Sequence, residues 1–166
     1  MKITGRARVL GDDVNTDYII SSRRKRETID AAQLAAYLLE GVDPAFAASV
    51  VPGDILVAGR NFGCGSAMEV AATVIRAAGI SAVVASSFAR SFHRNAINNG
   101  LLVVRADTAG IADGAVVRIV FDGDAPVVTI GDGDRRVGDP LPRVMREILG
   151  AGGLVGYLRA HGRFVV

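Results

Sequence analysis

At 166 residues the chain has the length of one ordinary domain, long enough to bury a core without disulfides or a structural metal. Half of its residues are hydrophobic and 22% are charged, which excludes a disordered chain, and a net charge of +2 is too weak to argue for a nucleic-acid partner. The longest apolar runs, ISAVVA and LLVV, are too short to span a bilayer, and MKITGRARVLG lacks the apolar stretch and small-residue cleavage site of a signal peptide. A cytoplasmic protein with no membrane contact is the expectation.

In chain order, ITGRARVL reads as a first strand that stops at the turn signal GDD. After the basic run Arg23-Arg24-Lys25-Arg26, Asp30 is placed to cap a helix over AAQLAAYLLE, where Leu34, Tyr37 and Leu38 recur at helical spacing. Pro44 and Pro52 bound the next connection, and DILVAG reads as a short buried strand. A helical pattern over 67–78 follows, with Gly79 as its stop. SAVVAS is a further strand, FARSFHRNAINN a helix closed by Gly100, and LLVVRA a strand again. This alternation implies parallel pairing through right-handed crossovers. Beyond Asp113 the segment AVVRIVFDGDAPVVTIGDGD alternates β runs with Asp-Gly turns, a hairpin signal, before two helical segments close the chain. No repeat or linker interrupts the pattern, so a single mixed α/β domain over residues 1–166 is expected.

The stretch NFGCGSAMEVAA, residues 61–72, places a glycine-rich turn between strand and helix, which aims the helix's free N–H groups at the crevice beyond the strand. Three readings compete. Ser66 and Glu69 fit a capping box, S-x-x-E, which stabilises by only about 1 kcal/mol and leaves the crowding of glycines unexplained. A dinucleotide fingerprint fails because position 68 is Met. In the third reading Ser66 is a reactive group whose alkoxide is stabilised by surrounding backbone donors. The single cysteine, Cys64, excludes an internal disulfide and, with two histidines, cannot build a metal site in this chain alone.

Four segments, GDDVNTDYII, NFGCGS, GISAVVASSFARSFHRNAINNGL and AGGLVGYLRAHG, resemble in order and spacing the small subunit of the 3-isopropylmalate dehydratase family, an aconitase-superfamily swivel domain, on its homoaconitase-like side. The resemblance covers most of the chain. It implies a swivelling β/β/α domain, with a mixed sheet and flanking helices, that closes over a large subunit carrying a [4Fe–4S] cluster; this chain binds no cofactor alone. The expected activity is that of a hydro-lyase on a small hydroxy acid, serving leucine biosynthesis if that acid is isopropylmalate.

By the same resemblance Ser66 is the catalytic base, with Gly65, Ala67 and Met68 at the substrate. The loop SSRRKRET is the substrate-selecting loop, with Arg26 the first and Arg24 the second candidate to bind a carboxylate through the planar guanidinium fork. Asp17, Asn61 and Glu69 are expected to support the site from behind. His93 stands where the family usually has an aromatic residue and is read as packed or surface-exposed rather than catalytic, Cys64 as a small turn residue, and His161 has no motif around it. The chain departs from the family's GSSREHA: it reads GSAMEVA, so the second serine is Ala67 and the arginine is Met68. In the family that serine and arginine bind a substrate carboxylate, so their absence implies an altered substrate, a carboxylate held by the basic loop, or a swivel-fold binding domain without catalysis.

Overall fold

The structure, a computed structural model, describes residues 1–164. It holds a seven-stranded mixed sheet with flanking helices, the expected architecture. Strand β1 (Lys2–Val9) leads into the short helices α1 (Thr16–Ile19), α2 (Ser22–Glu27) and α3 (Ala31–Leu34), a 3-10 turn (Ala35–Tyr37) and α4 (Phe46–Ser49). Then come β2 (Ile55–Ala58), α5 (Glu69–Ala77), β3 (Ala82–Ala85), α6 (Arg90–Asn98) and β4 (Leu102–Arg105). Strands β5 (Val116–Asp122), β6 (Ala125–Ile130) and β7 (Asp134–Val137) precede the closing helices α7 (Arg143–Gly150) and α8 (Leu154–His161).

The sheet order is β4-β3-β2-β1-β5-β6-β7, and β1 joins its two halves. The first half of β1 pairs antiparallel with β5, Lys2 facing Val120, and its last residues pair parallel with β2, Ala7 facing Ile55. Parallel pairing continues through β3 and β4, as the strand-helix alternation implied. Every residue of β2 and β3 is buried, which is why these strands read as continuous apolar runs rather than alternating ones. The hairpin expected after Asp113 is present, and β7 extends it by a third antiparallel strand. The sheet curls until its ends meet: the Asp139 N–H donates to the Arg105 carbonyl at 2.8 Å, and Arg136 donates to the carbonyls of Asp107 and Ala109.

The helix expected over AAQLAAYLLE is broken. Asp30 caps it through the Ala32 N–H, but regular helix ends at Leu34, and Leu39 takes a positive φ of 57°. The cause is tertiary. Leu38 and Leu39 are both fully buried, and the Leu39 N–H donates to the Ile19 carbonyl, so the chain turns inward where an isolated helix would continue. Just before β2, the only buried charged residue among those described is Asp54, which accepts from Arg6 at 2.8 and 3.2 Å, from Arg8 at 3.5 Å and from the Val51 N–H at 3.1 Å. Burial alone would raise its carboxyl, but these donors outweigh it and hold Asp54 below the usual carboxylate range.

Candidate active site

Connections leaving the C-terminal ends of β1, β2 and β3 lie side by side and are stitched together by backbone hydrogen bonds. The Gly59 N–H donates to the Gly11 carbonyl and the Ser86 N–H to the Gly59 carbonyl. Within this frame the glycine turn is pinned at each step. The Asn61 N–H donates to Ser87 Oγ at 2.8 Å and Asn61 Nδ2 to Asp13 Oδ1 at 2.8 Å. The Gly63 N–H donates to the Val14 carbonyl, and the Cys64 and Ser66 carbonyls accept from Thr16, through its N–H at 2.8 Å and its Oγ1 at 2.9 Å. Thr16 is 1% exposed, so this clamp is shielded from water. Asn61, Gly63 and Gly65 all take positive φ, at 58°, 78° and 91°, and it is this winding that turns Ser66 outward.

Ser66 is exposed, and its hydroxyl makes no hydrogen bond among the described residues. It is not the helix cap that the S-x-x-E pattern suggests. Helix α5 begins at Glu69, its N-cap position is Met68, and no side chain caps it. Thr16 holds the Ser66 carbonyl, Met68 is extended at φ −112° and ψ 112°, and the Ser66 hydroxyl therefore lies two positions before the N-cap. Glu69 is exposed in that first turn, where its charge suits the helix dipole, and it does not reach back to Ser66. The N–H groups of Gly65, Ser66, Ala67 and Met68 have no acceptor among the described residues. An uncommitted hydroxyl thus sits on the same turn as four uncommitted backbone N–H groups.

The basic run after the first motif is helical rather than a free loop, and its four cations are divided among different tasks. Ser21 caps α2, and Asp17 Oδ1 accepts from Ser22 Oγ at 2.9 Å, so Asp17 ties α1 to α2. Arg23 pairs with Glu27 at 3.6 Å. Arg24 donates twice to Glu40, at 2.9 and 3.0 Å, and lies over the Tyr37 ring at 3.7 Å. These bonds raise the Arg24 guanidinium and hold the Glu40 carboxyl down, so Arg24 anchors the segment and has no open fork for a ligand. Arg26 is exposed with no partner among the described residues. Lys25 turns the other way and donates to the Met68 sulfur, a contact that the run of like charges gave no means of finding.

Of the expected site residues, Gly65, Ser66, Ala67 and Met68 are brought together in one turn, with Asn61 behind them and α2 alongside. Asn15 and Thr16 were missed, although they sit inside the quoted GDDVNTDYII motif. Asn15 accepts from the Asp17 N–H and lines the space beside Gly65. Cys64 donates to the Asp13 carbonyl at 3.4 Å, as a turn residue would. His93 packs edge-on against Phe88 and burial lowers its pKa, while His161 stacks on Tyr157 with ring centres 4.4 Å apart. Among the described residues no three His, Cys, Asp or Glu side chains cluster as metal ligands, and no helix is long and apolar enough to cross a membrane.

Comparison with known proteins gives consistent similarities. The profile of the aconitase C-terminal domain matches residues 20–109. The methanogen homoaconitase small subunit of Methanocaldococcus jannaschii is 47% identical over 160 residues, covering 96% of this chain and 92% of the relative. A 3-isopropylmalate dehydratase small subunit of Archaeoglobus fulgidus is 44% identical over 162 residues, covering 98% of each. The crystal structure of a 3-isopropylmalate dehydratase from Methanocaldococcus jannaschii superposes with a TM-score of 0.89 at 46% identity, covering 98% of this chain and 96% of that one.

Proposed function

Because the chain belongs to the aconitase C-terminal domain family, alongside dehydratase small subunits, we propose that it is the base-bearing half of a hydro-lyase acting on a hydroxy acid with more than one carboxylate. The observation that carries this reading is Ser66: an exposed hydroxyl without a partner, on a turn whose N–H groups from Gly65 to Met68 are also without partners. A serine hydroxyl is too weak an acid to ionise at neutral pH unaided, and several backbone donors aimed at one oxygen are what favours its alkoxide. In that form Ser66 Oγ takes the proton from the carbon next to a substrate carboxylate, and returns it in the reverse direction. Arg26, the guanidinium of the loop that no acid occupies, holds a carboxylate and fixes the carbon in front of Ser66.

The chain's own residues do not fit a [4Fe–4S] cluster. Its one cysteine is turned toward the Asp13 carbonyl, and three thiolates are needed. The cluster expected for this family therefore belongs to a large subunit, on which this chain closes as a partner, and the complex works in the cytoplasm. The experiment is co-expression with the cluster-bearing subunit from the same source, followed by turnover of 3-isopropylmalate and homoaconitate. Ser66→Ala is expected to lower kcat by about 10²- to 10⁴-fold while the complex still assembles. Near-normal turnover by the Ser66→Ala complex overturns the reading.

A further inference from the structure

The geometry points to a second ligand site in this chain, a groove between α6 and α7 that takes a small aliphatic carboxylate. The groove has a volume of about 810 Å³, and none of Gly65, Ser66, Ala67 or Met68 lines it. That volume falls within the range of about 300–1,000 Å³ usual for small-molecule sites. Its walls follow from the sequence. Arg90, Arg94 and Ile97 recur at helical spacing and share one face of α6, while Val144 and Ile148 do the same on α7 with Met145 beside them. Val103 of β4 and Leu141, just before α7, complete the apolar lining.

The groove is charged at one end only. Arg90 and Arg94 are exposed and make no hydrogen bond or ion pair among the described residues. Arg105 on the same rim is already committed, to Asp139 at 3.2 Å and to the Ser86 carbonyl, and Asp139 is the one acid in the lining. His93 also lines the groove, but burial lowers its pKa, which leaves the two guanidiniums as the free charge. They sit in the first turns of α6, whose N-terminus no side chain caps, so the helix dipole adds to the attraction for an anion. Ile97 lies about 10 Å further along the helix axis from Arg90. A ligand that satisfies both ends carries one anionic head, for which the planar guanidinium forks suit a carboxylate, and an aliphatic body.

The anionic end adjoins the residues that pin the glycine turn. Ser87 and Phe88 line the groove; the Phe62 N–H donates to the Ser87 carbonyl at 3.0 Å, and the Ala89 N–H donates to the Phe62 carbonyl at 2.9 Å. Phe88 lies edge-on to Phe62 with ring centres 6.1 Å apart and stacks on Phe92, the ring that a Cβ on Gly63 would strike. A ligand seated against Phe88 therefore steadies the frame from which Ser66 is presented.

The test titrates decanoate into the purified chain and into its complex with the cluster-bearing subunit, with decanol as the neutral body and acetate as the bare head. Decanoate is expected to bind in both settings, and acetate at least about a hundredfold more weakly. Arg90→Gln/Arg94→Gln is expected to weaken decanoate about tenfold or more and to leave decanol within about twofold. Met145→Trp, which fills the groove, should abolish binding of both. With decanoate bound, hydrogen exchange at the Asn61 and Phe62 amides should slow severalfold, and unchanged exchange there overturns the link to the turn. A wild-type chain that binds no decanoate, or a double variant that binds it as tightly as wild type, overturns the site itself. Binding to the free chain but not to the complex also overturns it, because the partner subunit then covers this face. None of these readouts is turnover, so a failure of the hydro-lyase reading is distinguishable from a failure of this one.

Discussion

Asn15 and Gly65 are packed so closely that a Cβ on Gly65 would lie 2.7 Å from the Asn15 amide carbon, well inside any real contact. Gly65 also holds a φ of 91°, which costs a residue with a side chain about 1–2 kcal/mol before the clash is counted. Gly65→Ala is therefore expected to shift the turn that presents Ser66, lowering turnover at least tenfold with a small fall in melting temperature. Gly133→Ala, at a position with nothing within 4 Å, is the control and should change neither.

The two arginines of α2, Arg24 and Arg26, should separate in their effects. Arg26 makes no hydrogen bond or ion pair among the described residues, so Arg26→Ala is expected to leave the melting temperature unchanged and to raise KM about tenfold or more. Arg24 is held by Glu40 and Tyr37, so Arg24→Ala should lower the melting temperature by a few degrees and raise KM only indirectly, by loosening α2. Thermal melts beside steady-state kinetics read both. Equal melts for the two variants would contradict the anchor role of Arg24.

Removing Asp54 should cost stability rather than activity. Its side chain is 3% exposed and satisfies Arg6, Arg8 and the Val51 N–H together, and Asp54→Ala is expected to cost about 2–4 kcal/mol in denaturant unfolding. The pH dependence follows from the direction of its shift. A carboxyl held below its ordinary value of 3.8 contributes stability that is fully present above that value and is lost as pH falls through the folded one. The wild type should thus lose stability below about pH 4 more steeply than Asp54→Ala does.

His93 supplies a second acid-sensitive term in a higher window. Burial lowers its pKa from 6.5, so the unfolded chain binds the proton more readily and stability declines as pH falls below about 6.5. His93→Phe, which keeps the ring against Phe88, should flatten the melting curve between about pH 7 and 5 and leave kcat unchanged. A fall in kcat with His93→Phe would instead mean that the imidazole takes part in the reaction.

How much of this was legible in the sequence differs from residue to residue. The strand, glycine turn and helix from Ile55 to Ala77 could be read because buried runs, positive-φ glycines and a helix stop are local signals. The role of Ser66 as a cap could not be judged locally. Its S-x-x-E pattern is satisfied in sequence, yet the helix starts at Glu69 with Met68 at the N-cap position, and the Ser66 carbonyl is held by Thr16, fifty positions away. The division of labour in Arg23-Arg24-Lys25-Arg26 was hidden for the same reason: adjacent helical residues point in different directions, and their partners Glu40, Tyr37 and Met68 come from other parts of the chain. The short helices α1, α2 and α4 carry too few residues for a periodicity to show.

The stitching of the three strand ends fixes when the site can come into being as the protein is made. The turn at 61–66 needs Val14 and Thr16, which emerge from the ribosome before it, and Ser87, which emerges after it. Until residue 87 has left the exit tunnel, the start of the turn at Asn61 and Phe62 lacks the Ser87 partners that pin it. A chain cut short before that point carries the whole NFGCGS motif without every hydrogen bond that fixes its turn, so the motif and its geometry are completed at different stages of synthesis.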